Sequence, residues 1–512
     1  MKLKSLFEIL LFFLIFNIFA SDISDKKFNF SDIEKEAETL AKNQYSPEES
    51  VLPDSIRKMT YNQYANMWLK PEHILWQNDN LHYKVTFFPQ GYIYDKGIAV
   101  YQIKNDSISE VPFKPDYLEY AGSAQFAKDQ MPNNACYAGF KILYKSPAAE
   151  NPSEYVVFLG ASYFRLIADS TSWGLSSRGI SVNSSIPGLV EEFPVFEKFW
   201  FQVPSDDSLT LTLYALLDGE SVTGAYRFDI SPGETTTVEV EATLFFRKTD
   251  IVLGIAPLTS MFWFSSYTKN HFYDFRPQVH NSNGMILNTE KNSTWQPLTN
   301  YHDYPILLSD HETDSLLNYG LYQRGRDFND YLDNVANYNT NPNIIVQPNQ
   351  GFKNGKLRVA VIPTYNEWMD NVNAYWIPSE KLELKKPYKV KYTLQCSLSE
   401  QKEKIEKVKM TNIGNEITDP ASTLFVLSFT NTNEIKADAL KVVLDVPKSV
   451  NIHSKPVVEN IPQDSTIRVS FQLKNDKLPP NSKPYPIQCY LEKDGSVVSE
   501  QWYYEWYPQP SN

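Results

Sequence analysis

Apolar and polar residues alternate with a period of two in LTLYALL (211–217), TTTVEVEATLFF (235–246), LRVAVIP (357–363) and YKVKYTLQC (388–396). That period puts successive side chains on opposite faces of an extended strand. Clusters of Gly, Pro, Asn and Asp separate the runs, which is the signature of a large sandwich or barrel. One segment follows a different period. SDIEKEAETLAKN (31–43) repeats Ile33, Ala37 and Leu40 on one helical face, with Ser31 and Glu34 at capping-box spacing. Residues 397–409, SLSEQKEKIEKVK, are charged, lack strand pattern and read as a linker. Beyond them short strands resume, as in TIRVSFQLK (466–474), over a length that suits an immunoglobulin-like sandwich. The fold class expected is therefore all-β: a large N-terminal β-sandwich over 21–396, the linker over 397–409, and a small C-terminal immunoglobulin-like β-sandwich over 410–512.

The first twenty residues have a separate logic. Lys2 and Lys4 precede the unbroken apolar run Ile9 to Phe16, and Ala20 offers a small residue before Ser21. This is the form of a secretory signal peptide, and the run is shorter than the ~20 apolar residues a membrane-spanning helix needs. Export is expected, with no membrane span after signal cleavage.

Composition narrows the function. At 512 residues two domains are the default, and 42% hydrophobic with 21% charged residues is ordinary globular content. A net charge of −13 argues against nucleic acid and anionic membrane surfaces as partners and is compatible with an uncharged ligand. The 32 Tyr, 30 Phe and 10 Trp fit sandwich cores first and flat carbohydrate platforms second. Cys136, Cys396 and Cys489 make no disulfide framework; a Cys396–Cys489 bridge stays open, with buried free thiols the simpler reading. The seven His residues show no metal-ligand spacing, and Asp327, Asp330 and Asp333 in RDFNDYLD read as a solvated turn face, so no metal and no cofactor are expected.

P-loop, dinucleotide, HExxH and GxSxG motifs are all absent from the sequence. Two loops remain as candidate chemistry. RPQVHNSNGM (276–285) combines a His, two Asn and a Ser with no carboxylate. TYNEWMDNVNAYW (364–376) follows a strand and carries Glu367 and Asp370, and paired carboxylates are the minimum equipment for glycoside hydrolysis.

Taken with those two loops, the blocks GASYFR (160–165), GLSSRG (174–179), EEFPVFEKFW (191–200), YALLDGESVTGAYRF (214–228), GIAPLTSMFWF (254–264), WQPLTN (295–300), QRGRDF (323–328) and IPTYNEWMDN (362–371) run in an order that resembles the periplasmic glucan biosynthesis proteins G and D of Gram-negative bacteria. The resemblance spans about residue 28 to about residue 395 and is weaker beyond. It implies a glucan cleft in the large sandwich, a periplasmic location, and a role in making osmoregulated periplasmic glucans with β-1,2-linked backbones. Some family members resemble inverting β-1,2-glucan hydrolases. Carried onto this chain, their general acid is Asp370. Their general base, an Asp directly after His, is replaced by Asn281.

An amide cannot accept a proton at useful pH, and losing general-base help costs roughly 10²–10⁴ in rate. Asn281 can still hold a hydroxyl or a water. Other departures are NPNIIV (341–346) where the family has an Arg-Pro pair followed by Trp, Val361 in place of a Glu, and GFKNG (351–355) in place of a Trp-Gly-x-Gly turn. Two functions stay open. The chain either binds β-1,2-glucan as a scaffold for other synthesis components, or it is an active inverting hydrolase with Asp370 as acid and a different base, Glu367 among the candidates. Glu367, Trp368, His280, Tyr163, Arg165, Arg324 and Arg326 are expected substrate-binding residues. Each has a structural alternative: Tyr163 and Arg165 as core and ion pair, Arg324 and Arg326 as partners of Asp327, His280 as a loop fastener. Trp376 is a weaker candidate than Trp368 for stacking on a sugar.

Overall fold

The computed structural model describes residues 28–508 except 48, 148, 269–272, 303, 401–403 and 475–482. The expected leader lies outside the described residues. The protein is mostly β, as expected, and two large sheets face each other. The first has ten strands among the described residues, running from Tyr83–Pro89 through Tyr137–Tyr144, Ser153–Leu159, Tyr163–Leu166 and Ser176–Arg178 to Leu253–Ser260, Val372–Pro378, Gly355–Val361 and Leu307–Thr313. The second has fifteen, and its central strands include Val195–Gln202, Leu211–Asp218, Val222–Ser231, Thr236–Phe246, Tyr388–Ser397 and Asn343–Gln350.

Between the sheets lies an aromatic core. Phe140, Phe158, Phe164, Phe196, Phe199 and Phe228 are all buried and make stacked or edge-on pairs with one another. Burying each ring is worth about 1.5–3 kcal/mol, so this layer contributes substantially to the stability of the sandwich. Many of the chain's rings are thus core.

The second half of Thr236–Phe246 loses its alternation and is buried on both faces. The helix Phe30–Lys42 explains this, because it lays Ile33 and Ala37 against Ile103, Trp200, Leu216, Ala225 and Phe245 on the outer face of the sheet. The expected helical face is the buried one, with Leu40 at its margin. Its cap differs from expectation: the Asn29 side chain accepts from the Ser31 N–H, so the helix begins one residue before Ser31 and Asn29 supplies the capping oxygen.

Past residue 407 a four-stranded sheet, Val408–Asn415, Ser422–Thr430, Thr466–Lys474 and Asn451–Ile461, packs on Lys441–Asp445, Tyr485–Lys493 and Gln501–Trp506 around Phe425, Phe471 and Trp502. The last three strands also extend the fifteen-stranded sheet, since Gln501–Trp506 pairs in parallel with Ser293–Pro297. The charged segment before this region is fastened at both ends. Glu400 pairs with Arg324, and fully buried Glu406 accepts from Thr430, Thr432 and Asn433. Cys396 and Cys489 sit buried in different clusters and none of the three cysteines forms a disulfide among the described residues; Cys136 is only half-buried.

Candidate functional site

Both candidate loops attach to one dipeptide. The hairpin Gly355–Val361 and Val372–Pro378 is paired up to Val361 and Val372, and residues 362–371 project from its end. Asn371 closes the neck: its Nδ2 donates to Ile362 O at 2.8 Å while the Ile362 N–H donates to Asn371 O at 2.9 Å. Its free Oδ1 accepts from the Phe262 N–H at 2.8 Å. On the other side of that peptide the Asn281 N–H donates to Met261 O at 2.8 Å, and His280 pairs in register with Phe262. Met261–Phe262 therefore fixes the spacing between the Asp370 and Asn281 positions.

Asp370 is about a third exposed, and its one charged partner is Arg165, whose Nη2 lies 3.4 Å from Oδ2. Burial raises its pKa above the usual carboxylate value, and Arg165 offsets only part of this. Arg165 is itself aimed by Nε donating to Ser176 Oγ at 2.8 Å. Tyr163, two residues back on the same strand, lies under the buried guanidinium of Arg178 at 4.8 Å, and Arg178 pairs with Glu191 at 2.8 Å.

Glu367 has a different environment. Oε2 accepts from Arg276 Nη1 at 2.8 Å and from the Tyr338 hydroxyl at 2.6 Å, and Arg276 Nη2 reaches Oε1 at 3.4 Å. Arg276 also bonds Asp274 through Nε at 3.0 Å and Nη2 at 2.9 Å, and Asp333 through Nη1 at 2.9 Å. One guanidinium thus organises three carboxylates. The Asp274 hydrogen bonds, followed by those from Glu367 and Asp333, hold it firmly cationic. Trp368, beside Glu367, is 89% exposed, and Tyr365 stands out at 70% while stacking on His302 at 4.3 Å.

His280 is fully buried, with Nδ1 2.7 Å from Gln323 Oε1. Gln323 Nε2 already donates to His280 O and Tyr338 O, so its oxygen must accept and His280 carries its proton on Nδ1. Burial depresses its pKa to about 3, so the ring is neutral, and Nε2 is buried without a hydrogen-bond partner among the described residues. Asn281 Oδ1 accepts from Asn341 Nδ2 at 2.9 Å. An amide in that position can donate and accept hydrogen bonds but is not a base at useful pH.

The structure brings Asp370, Arg165 and Tyr163 together, and holds Glu367, Trp368, His280 and Asn281 on the neighbouring loops. Arg326 lies beneath, donating to the carbonyls of Asn341 and Asn339 and to Asn343 Oδ1 at 2.9 Å, so it supports the partner of Asn281. Arg324 points away. It stacks on Trp295 at 3.7 Å and pairs with Glu500 at 2.6 Å and Glu400 at 3.2 Å, at the junction with the C-terminal strands. Among the described residues neither arginine has Asp327 as an ion-pair partner; Asp327 stands at the N-cap of the turn Phe328–Asp330, its N–H donating to Asp330 Oδ2 at 3.2 Å. Trp376 is buried in the core and cannot reach a ligand. Sequence reasoning missed Arg276, Tyr338, Asn341 and Gln323 as organisers, although Arg276 opens one of the two loops singled out. No group of side chains suited to a metal ion occurs among the described residues.

Comparison with known proteins gives a consistent result. Residues 28–506 match the family described as periplasmic glucan biosynthesis protein, MdoG. The probable glucans biosynthesis protein D of Shewanella oneidensis is 31% identical over 505 residues, covering 96% of this chain and 91% of that protein. Glucans biosynthesis protein G of Serratia proteamaculans is 30% identical over 494 residues, covering 93% of each.

Proposed function

Because the chain belongs to the periplasmic glucan biosynthesis family, we propose that it acts in the periplasm as a binder of β-1,2-glucan backbone, holding the chain between the 276–285 and 362–371 loops with little or no hydrolysis. The observation that carries this reading is the Asn281–Asn341 pair. An amide held by Asn341 can hold a sugar hydroxyl or a water, but it is too weakly basic to take its proton. Glu367 is a poor substitute base, since both its oxygens are engaged by Arg276 and Tyr338. Partners are the glucan itself and other components of glucan synthesis. No helix among the described residues is long and apolar enough to cross a membrane.

One observation favours an active inverting hydrolase. Burial raises the Asp370 pKa, and a carboxyl that keeps its proton is what a general acid requires. The base would then be a group other than Asn281.

Product release from linear β-1,2-glucan separates the two. Binding without hydrolysis expects no product from the parent chain and detectable product from Asn281→Asp. Because Asn341 lies against position 281 and occupies the site of the family arginine, Asn281→Asp with Asn341→Arg is expected to exceed the single change. Turnover by the parent that disappears in Asp370→Asn establishes the hydrolase instead.

A further inference from the structure

Tyr163, beside Arg165 and Asp370, shares a cavity with Ile93 and Tyr94 of a tyrosine cluster that the site described above does not use. The loop after strand Tyr83–Pro89 is pinned by Gln90, whose Nε2 donates to Asp95 O at 2.8 Å and whose Oε1 accepts from the Cys136 N–H at 2.7 Å. Gly91 and Tyr94 exchange both backbone hydrogen bonds, at 3.0 and 2.9 Å. Inside this tight turn Tyr92 has φ of 55°, and its N–H donates to Ile56 O at 3.1 Å. A bulky residue in the left-handed region costs roughly 1–3 kcal/mol, a cost that glycine would avoid.

The side chains cluster around buried Tyr64, whose ring centroid lies 6.3 Å from that of Tyr92 and 5.5 Å from that of Tyr94. Ring centroids lie 6.1 Å apart for Tyr61 and Tyr92, and 6.4 Å apart for Tyr92 and Tyr94. Tyr61 is 63% exposed and Ile93, between the other two, 67%. Tyr94, Ile93 and Tyr163 line one small cavity of about 70 Å³ with Gly160 and Ala161. Gly160 has φ of 79°, a left-handed conformation that favours glycine, and lies beside the Tyr94 ring. Tyr163 leads along its strand to Arg165 and so to Asp370. The tyrosines are thus continuous with the site through the cavity wall that Tyr94 and Tyr163 share. They present rings with hydroxyl tips rather than charge, as a neutral polyol chain on a protein of net charge −13 requires.

We propose that Tyr61, Tyr92, Ile93 and Tyr94 form a second binding face that receives the uncharged hexose chain running out past Asp370. This rests on the glucan reading above. It predicts that length matters, because a short oligosaccharide filling the central loops does not reach the tyrosines.

Calorimetric titration of the full chain with linear β-1,2-glucans of about five and about twenty units tests it, using the parent, Tyr61→Ala and Tyr92→Gly. Tyr92→Gly relieves the left-handed strain, so the fold is expected to be kept, and thermal unfolding checks this. The parent should bind the longer chain at least tenfold more tightly. Each variant should lose about tenfold on the longer chain and nothing on the shorter. Variants that bind the longer chain as the parent does overturn this face alone. If the longer chain is favoured but the variants are unaffected, its extra contacts lie elsewhere, which overturns it equally. A parent that binds neither length overturns the glucan reading and this inference with it.

Discussion

Glu367 and Asp370 stand on one loop, three residues apart, and the structure treats them oppositely. Glu367 is tied into an arginine-centred nest with Asp274, Asp333 and Tyr338. Asp370 has one long contact to Arg165 and a pKa raised by burial. The first carboxylate is spent on shape and the second is held in reserve. Two acidic residues in a candidate loop are therefore not a catalytic pair merely by being neighbours; what each already bonds decides what remains for a ligand.

The comparison breaks most visibly at Arg276. Its side chain is 11% exposed, and its removal leaves Asp274, Asp333 and Glu367 at 13%, 9% and 24% exposure with no shared counter-charge. Stranding buried charges in this way costs about 3–5 kcal/mol. Arg276→Met should lose that much in chemical denaturation, whereas Arg165→Met, with its half-exposed side chain, should lose far less. Equal losses would show that the two carboxylates share one network.

Acid separates the loops next. His280 stays neutral in the folded protein down to about pH 3, while in the unfolded chain it protonates near 6.5. Its folded pKa is depressed, so the unfolded state takes up the proton first and stability is lost as pH falls from about 6.5 toward 3. By pH 5 this single group accounts for about 2 kcal/mol. A His280→Gln variant should show a shallower decline of stability between pH 7 and 5, measured as the slope of unfolding free energy against pH. An unchanged slope would mean that the ring is not held neutral.

Much of this was legible in the sequence, for identifiable reasons. The strands 211–217, 235–246, 357–363, 388–396 and 466–474 were readable because a one-sided sheet writes a period of two into the chain. The loss of that period past Thr243 was not interpretable until the helix Phe30–Lys42 was seen covering the outer face. The helix cap was misplaced because Ser31–Glu34 spacing imitates a capping box, while the φ/ψ break falls at Asn29. In the site, Asp370 and Asn281 stood out through their motifs. The tie that binds them, Asn371 and Asn281 on the two sides of the Met261–Phe262 peptide, spans 110 residues of sequence and leaves no local pattern. Arg324 looked like a sugar ligand because arginine serves either role; only the positions of Glu500 and Glu400 give it to the junction with the C-terminal strands.

The smallest effects sharpen the comparison best, because they differ in sign. Glu367→Gln removes a charged partner from Arg276 and Tyr338 and should cost about 1.5 kcal/mol at pH 7. Asp370→Asn should do the reverse. A carboxyl whose folded pKa lies above its unfolded value is destabilising when ionised, so the burden is present above the folded pKa and absent below the unfolded one. The neutral amide removes it. Thermal unfolding at pH 7 should therefore find Asp370→Asn at or above the parent, with the two curves converging as the pH falls through the carboxyl's range. Had Asp370 been a second structural anchor like Glu367, its amide variant would melt below the parent at pH 7. In that case the loop would hold two fasteners and no reserved acid, and the surviving hydrolase reading would go with it.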